Sequence, residues 1–182
     1  MEVSSTSKGN GIEKIKKDMA RLMALDVLVG IPENKSARKD TDKVNNAQLL
    51  YLHTNGSALR HIPARPVIEP AIVANKEAIA EELKTSSKLI LQGKTEQSMQ
   101  QLKKVGMLGA TVSKDWFTDS RNKWPPNAPR TIIRKLNKIK GKKGKEAITE
   151  YLKTGVTDKV TPLIDTGALR QSITFVVRKG GG

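Results

Sequence analysis

The side chains able to do polar chemistry are few in kind and poorly grouped for catalysis. The chain has two histidines, His53 and His61, and no cysteine. The histidines flank Gly56 with no run of carboxylates beside them, so they do not form a metal-ligand pattern. Asp165-Thr166-Gly167 has the local look of an aspartyl-protease loop, but that chemistry needs two carboxylates sharing a proton, and Asp165 stands alone. Gly141-Lys142-Lys143-Gly144-Lys145 lacks the spacing of a phosphate loop and has no apolar strand before it. A nucleophile-elbow Gly-x-Ser-x-Gly is absent. Catalytic, cofactor-binding and metal residues are therefore expected to be none, and the chain is not expected to be an enzyme.

What remains is cationic. Lys and Arg number 33 against 18 Asp and Glu, a formal net charge of +15. Residues 134–145 alone hold seven bases and no acid: Arg134, Lys135, Lys138, Lys140, Lys142, Lys143 and Lys145. Such charge suits a polyanion, but by itself reads no sequence. Two readings of the run stand: contact with DNA phosphates, and a solvated loop or protein-docking arm, the latter favoured because no aromatics are interleaved as on single-strand platforms. With Gly141 and Gly144 inside it, the run is expected to be a flexible loop.

The elements that position these residues follow from periodicity. Residues 1–10 are polar and expected to be a disordered tail; residues 11–182 are expected to form a single domain. Ile12, Ile15, Met19, Leu22 and Met23 fall near one helical face over 11–24. Asp26–Ile31 alternates, with Val27, Val29 and Ile31 to one side, and ends at Pro32. Residues 33–42 read as a loop, with Asp42 as N-cap of a short helix that Asn55-Gly56 stops. Pro63 and Pro66 make 62–66 a stiff connector.

A long helix opens at Glu69-Pro70 and runs to about Ile90; a second resumes near Thr95 after Gly93. Gly106 and Gly109 lie on its apolar stripe and imply either close approach by another element or a kink. Asp119–Pro129 is a loop, followed by a short helix through Leu136. A basic loop insertion covers about 137–160, with a short helix at 146–153. Asp165 is expected to cap the turn at 166–169, with Gly167 allowing a tight backbone crossing. Ile173, Phe175 and Val177 alternate in a last strand. These elements predict an α+β fold: a small antiparallel or mixed sheet, shared by the first and last strands, packed against long helices.

Aromatics are only 3% of the chain, so the core is thin and an oligomeric interface is a natural supplement. No apolar stretch approaches the roughly 20 residues of a membrane span, and the polar first residues lack a signal-peptide core. The expected compartment is the cytoplasm, or an assembly built there, with no membrane partner.

Five segments in order resemble the virion morphogenesis and tail-completion family of tailed bacteriophages. They are Val29-Gly30-Ile31-Pro32; Ala47–Tyr51 leading to Leu52-His53-Thr54-Asn55-Gly56; Ile62-Pro63-Ala64-Arg65-Pro66-Val67 with Pro70-Ala71; Pro125-Pro126 with Thr131-Ile132-Ile133-Arg134-Lys135; and Pro162-Leu163-Ile164-Asp165-Thr166-Gly167 through Ser172-Ile173. The resemblance covers about residues 25–178. It departs at Val67, where the family has an aromatic, and in the longer 137–160 region.

The resemblance implies a structural virion protein, assembled in the host cytoplasm, that forms a sixfold or twelvefold ring at the head–tail junction or upper tail. Its implied partners are copies of itself and neck, tail-terminator or tail-tube proteins, with genomic DNA nearby. The alternative is a basic protein that contacts DNA phosphates without sequence preference. Arg65, Arg170, Arg134, Lys135, Lys138, Lys140, Lys142 and Lys143 are the candidate subunit or partner contacts. Gly56, Pro63, Pro66, Asp165 and Gly167 are the candidate structural turns. Arg65, held between two prolines, is expected to pair with a carboxylate, in its own chain or a neighbour; Arg170 is expected to act likewise.

Overall fold

A computed structural model describes residues 6–38 and 44–180, and the backbone alone for 6–10. The element order is α1 (Thr6–Met23), β1 (Leu25–Gly30), α2 (Glu33–Ser36), α3 (Asn46–Asn55), α4 (Ile68–Ala74), α5 (Lys76–Leu91), α6 (Thr95–Asp115), a 3-10 turn (Ser120–Asn122), α7 (Pro129–Leu136), α8 (Lys142–Thr154), α9 (Ala168–Ser172) and β2 (Thr174–Lys179). The fold is α+β and mainly helical, with one two-stranded antiparallel sheet. Among the described residues no helix is long and apolar enough to cross a membrane.

The described residues fall into two compact units, each discontinuous in sequence. The first holds residues up to 32, 68–113 and 173 onward; the second holds 33–67 and 114–172.

In the first unit, the first and last strands pair as expected, with Val27 opposite Val177 and Val29 opposite Phe175. The alternation sets their faces: Val27, Val29, Phe175 and Val177 are partly buried, while Leu28 and Val176 face outward. Gly106 and Gly109 resolve in favour of close approach. A Cβ at Gly106 would lie 2.2 Å from the Phe175 ring, and one at Gly109 would lie 2.8 Å from Val29. The sheet thus seats its aromatic on a bare stretch of helix.

The helices of this unit are tied by polar bonds inside an otherwise apolar packing of Ala71, Ile90, Leu102, Val105, Ala110 and Ile173. Ser86 and Ser98 hydroxyls meet at 2.8 Å between α5 and α6, and each also reaches the other residue's carbonyl. Gln101 donates to Glu82 across the same pair. Thr95 Oγ1 donates to buried Asp18 at 2.7 Å, fixing the start of α6 to α1.

Several local expectations need correction. The helix opened by Glu69-Pro70 is two helices. The Asn75 side chain donates to the Ala71 carbonyl at 2.7 Å, the acceptor its own backbone N–H would use, and that N–H turns to Ile72 instead. Residues 33–36, read as loop, form the turn of α2. The helix expected from 11 starts at Thr6, within the expected tail, and residues 1–5 of that tail lie outside the described residues. Asp42 also lies outside the described residues; the cap of α3 is Asn45. Its Oδ1 accepts from Gln48 N at 2.8 Å while Gln48 Oε1 accepts from Asn45 N at 3.0 Å, a reciprocal capping box.

The basic run is no flexible loop. Residues 134–145 comprise the end of α7, a short connection and the first turn of α8. The two helices close on Ile132, Leu136, Ala147 and Tyr151, with Ile133, Ile139, Ile148 and Val160 packed around them. Gly144 permits this, since a Cβ there would sit 2.1 Å from the Ile139 carbonyl oxygen. Much of the 137–160 insertion is therefore helical and shares a small core with α7.

Candidate functional site

Within the second unit, segments far apart in sequence interlock, and they come from four of the five ordered motifs. The first is built from α3 and the loop after it. Gly56 ends α3 at φ +71°, a region that L side chains rarely adopt, and a Cβ there would stand 2.8 Å from Ala64 N and Ile62 O. The loop Ser57–Ile62 then closes on itself: Ser57 N donates to Ile62 O at 2.8 Å and Ile62 N to Ser57 O at 2.9 Å. Arg65 N returns to the His53 carbonyl at 2.6 Å. The Pro63–Pro66 segment is thereby anchored at both its entry and its middle.

Arg65 is buried, with 5% of its surface exposed, and its guanidinium meets backbone rather than a carboxylate. Nε and Nη2 donate to the Pro125 carbonyl at 3.1 and 2.9 Å, and Nη2 also to the Pro126 carbonyl at 2.8 Å. The expectation of an ion pair is corrected, and the reason is chemical. Among the described residues no backbone N–H outside a helix is seen to donate to the Pro125 or Pro126 carbonyl, and two adjacent unshared carbonyls suit a planar fork of donors. In return, Trp124 Nε1 donates to the Pro66 carbonyl at 3.1 Å. The Trp124 ring stands edge-on to buried Phe117, at 5.9 Å and 86°. Each Pro-containing segment thus holds the other by a side chain gripping a backbone carbonyl. Val67 is fully buried.

The Thr131–Lys135 and Pro162–Gly167 motifs lock in the same way. Lys135 Nζ donates to the Thr161 and Ile164 carbonyls, both at 2.7 Å. Lys138 Nζ bonds both Asp165 oxygens at 2.6 and 2.8 Å. Asp165 therefore anchors a lysine and does not cap α9; the Thr166 hydroxyl accepts from Ala168 N at 3.3 Å instead. Gly167 serves its positive φ of +81°, not a backbone crossing, because a Cβ there meets only Gln171 Nε2 at 3.7 Å. Arg170 is also spent within the chain: Nε donates to the Lys114 carbonyl at 2.7 Å and Nη2 to Asp115 at 3.2 Å.

The electrostatics fit a cation-held scaffold. Burial pulls the Arg65 and Lys135 pKa values down; for Lys135, nearby Asp165 opposes that and Arg134, Arg65 and Lys138 add to it. The Lys138 hydrogen bond holds Asp165 below the usual carboxylate range. His53 is pushed down, first by burial and then by Arg65, and its Nδ1 is buried without a hydrogen-bond partner among the described residues.

The eight candidate contacts thus separate into two sets. Arg65, Lys135, Lys138 and Arg170 are committed to internal carbonyls and carboxylates. Arg134, Lys140, Lys142 and Lys143 are exposed on the α7–α8 hairpin. Sequence reasoning missed Trp124 as the partner of Pro66; its only signal was an indole next to Pro-Pro. It also missed Leu59, which is 91% exposed at the tip of the closed Ser57–Ile62 loop. Among the described residues no group of three or more His, Cys, Asp or Glu is placed to hold a metal ion. No protein-family model, curated protein or solved structure matches this chain.

Proposed function

We propose that the chain is a structural virion protein of a tailed bacteriophage, which forms a ring at the head–tail junction or upper tail, completes the tail and joins it to the neck. The reading rests on the five ordered motifs. The observation that carries it is that four of them interlock through bonds to backbone carbonyls, made by the Arg65, Trp124 and Lys135 side chains and by the Arg65 backbone N–H. Such bonds fix the path of the chain and commit the cations at the junction to holding it. In this reading the protein is not an enzyme and takes no cofactor.

Two exposed apolar features support assembly. Leu59 projects from a loop stiffened by four backbone hydrogen bonds, since Arg60 N and His61 N also donate to Ser57 O and Ala58 O. Leu28 and Val176, a register pair, lie exposed on the outer face of a sheet whose strands each have an edge without a strand neighbour among the described residues. A repeated head-to-tail contact through such surfaces closes into a ring when its rotation divides the circle, here six or twelve times.

The test is mass photometry and negative-stain electron microscopy of the full chain, alone and mixed with purified tails lacking it. Particles of six or twelve copies, and rings at the tail end, are expected. A protein that stays monomeric at micromolar concentration and never joins tails would overturn the reading.

A further inference from the structure

We infer that the α7–α8 hairpin is a contact surface for the phosphate backbone of duplex nucleic acid, read without regard to sequence. This goes beyond the ring reading, and holds whether or not a ring forms.

The argument begins with which cations are free. Of the seven bases in 134–145, Lys135 and Lys138 are consumed in anchoring the segment at 161–165. Arg134, Lys140, Lys142, Lys143 and Lys145 remain exposed, and among the described residues the only acid in ion-pair geometry with any of them is Glu146, 3.7 Å from Lys142. Arg130 and Arg134 lie two positions from Ile132 and Leu136, about 200° round α7, so they share the face opposite its buried stripe. On α8, Lys142 and Lys145 stand away from buried Gly144, Ala147 and Tyr151; because the buried stripes of the two helices pack on each other, the α7 arginines and these lysines flank the hairpin, with Lys140, Lys142 and Lys143 at the connection between them.

The hairpin also breaks a local rule. Lys142, Lys143 and Lys145 crowd the first turn of α8, where the helix dipole is positive; that turn has no acid and no side-chain cap. Like charge at that end is unfavourable. A chain that keeps such a conflict on a rigid, packed element holds a surface suited to an anion from outside.

The chemistry of the patch favours phosphates over an acidic protein. Protein interfaces centre on buried aromatic or aliphatic anchors. Here the apolar residues of 134–145, where the cations lie, point inward: Leu136 is fully buried and Ile139 packs on the hairpin core, and the exposed Leu152 and Val156 lie at the far end of α8 and just beyond it. Single strands are disfavoured too, because 130–145 contains no aromatic for a base to stack on. Lysine-rich point charges on a stiff support suit the regular phosphates of a duplex.

The experiment is fluorescence anisotropy of the full chain with two 30-base-pair duplexes of unrelated sequence across a salt series, with poly-L-glutamate as competitor. The hairpin variant carries Arg134→Gln, Lys140→Gln, Lys142→Gln, Lys143→Gln and Lys145→Gln. A charge-matched control carries Lys14→Gln, Lys17→Gln, Lys88→Gln, Lys103→Gln and Lys104→Gln, all exposed and outside the hairpin. Both duplexes are expected to bind equally. The hairpin variant should bind at least about tenfold more weakly, with the salt slope reduced by about 0.9 for each phosphate it no longer neutralises, so about 3–5 in all. The control should stay within about threefold, and a Lys→Arg version of the hairpin should keep binding. Equal weakening in both variants would reduce the effect to net charge and overturn the inference. So would absence of duplex binding by the wild-type chain, or displacement of duplex by an equal charge of poly-L-glutamate. Mass photometry separates the readings: a wild-type chain that binds duplex but forms no rings counts against the assembly proposal alone, whereas a hairpin variant that loses its rings but keeps duplex binding would make the hairpin a protein contact and overturn this inference.

Discussion

Arg65→Met is the sharpest probe of the interlocked motifs. The substitution keeps an unbranched apolar stem and removes every donor. Three hydrogen bonds from the guanidinium to the Pro125 and Pro126 carbonyls disappear. Bonds from a charged donor are worth about 1.5–3 kcal/mol each. Two considerations reduce the total. Two of the three bonds share one acceptor, and Pro125 and Pro126 are otherwise exposed, so water can reach the freed carbonyls. Removing a buried cation also removes its desolvation cost, which is why exchange for an apolar residue is cheaper than a bond count suggests. The net expectation is a destabilisation of about 2–4 kcal/mol. At about 2–4 °C per kcal/mol for a chain of this size, the midpoint of thermal unfolding falls by about 5–15 °C. Arg65→Lys keeps the charge without the fork and should destabilise roughly half as much.

The assay is urea unfolding followed by far-ultraviolet circular dichroism and by tryptophan emission, since the Trp124 indole bonds the neighbouring Pro66 carbonyl. Trp124→Phe removes that return bond, and the double variant should show a coupling of about 0.5–2 kcal/mol, because both bonds join the same two segments. A Met variant within about 0.5 kcal/mol of the parent, with unchanged emission and no coupling to Trp124→Phe, would refute the idea that these motifs hold each other.

Three further outcomes are expected. Gly106→Ala should destabilise by about 1–3 kcal/mol, because its Cβ would lie 2.2 Å from the Phe175 ring, whereas Gly11→Ala, on open α1, should stabilise by about 0.5–1 kcal/mol; calorimetry showing the same sign for both would contradict the close-approach reading. His53 has a folded pKa below its unfolded value, so the unfolded chain takes up the proton first and stability drops as pH falls from the unfolded value through the folded one. Urea midpoints should therefore decline below about pH 6.5, and His53→Gln should flatten that part of the profile; an unchanged slope would count against it. Leu59→Ser, at a side chain 91% exposed, should leave the unfolding free energy within about 0.5 kcal/mol of the parent yet weaken assembly in mass photometry; intact rings would remove this loop from the interface.

Much of the local structure was legible because it is set by neighbours in sequence. The alternation in 26–31 and 173–177 shows both faces of the sheet, and a one-residue slip would turn every side chain over, so even the pairing of the two strands is tightly specified. Pro63, Pro66 and Gly56 announced a stiff connector and a turn, because their backbone limits are intrinsic. Misreadings came where a side chain competed with the backbone, as at Asn75, or where glycines suggested freedom, as at Gly141 and Gly144. Gly144 is a packing position, which no local rule distinguishes from a hinge.

The sequence by itself determined the class of fold, the strand faces, the absence of a recognisable catalytic motif and the order of the five motifs. The tertiary structure decided what those motifs do to one another. Arg65 and the Pro125-Pro126 carbonyls are 60 residues apart, as are Trp124 and Pro66 to within a few, and nothing in either segment names its partner. A carbonyl exists at every residue, so a cation that binds one leaves no pairing signal of the kind a carboxylate would. The same tertiary fact sorted the lysines. Once Lys135 and Lys138 are spent on the 161–165 segment, those left facing water are the ones free to meet a partner.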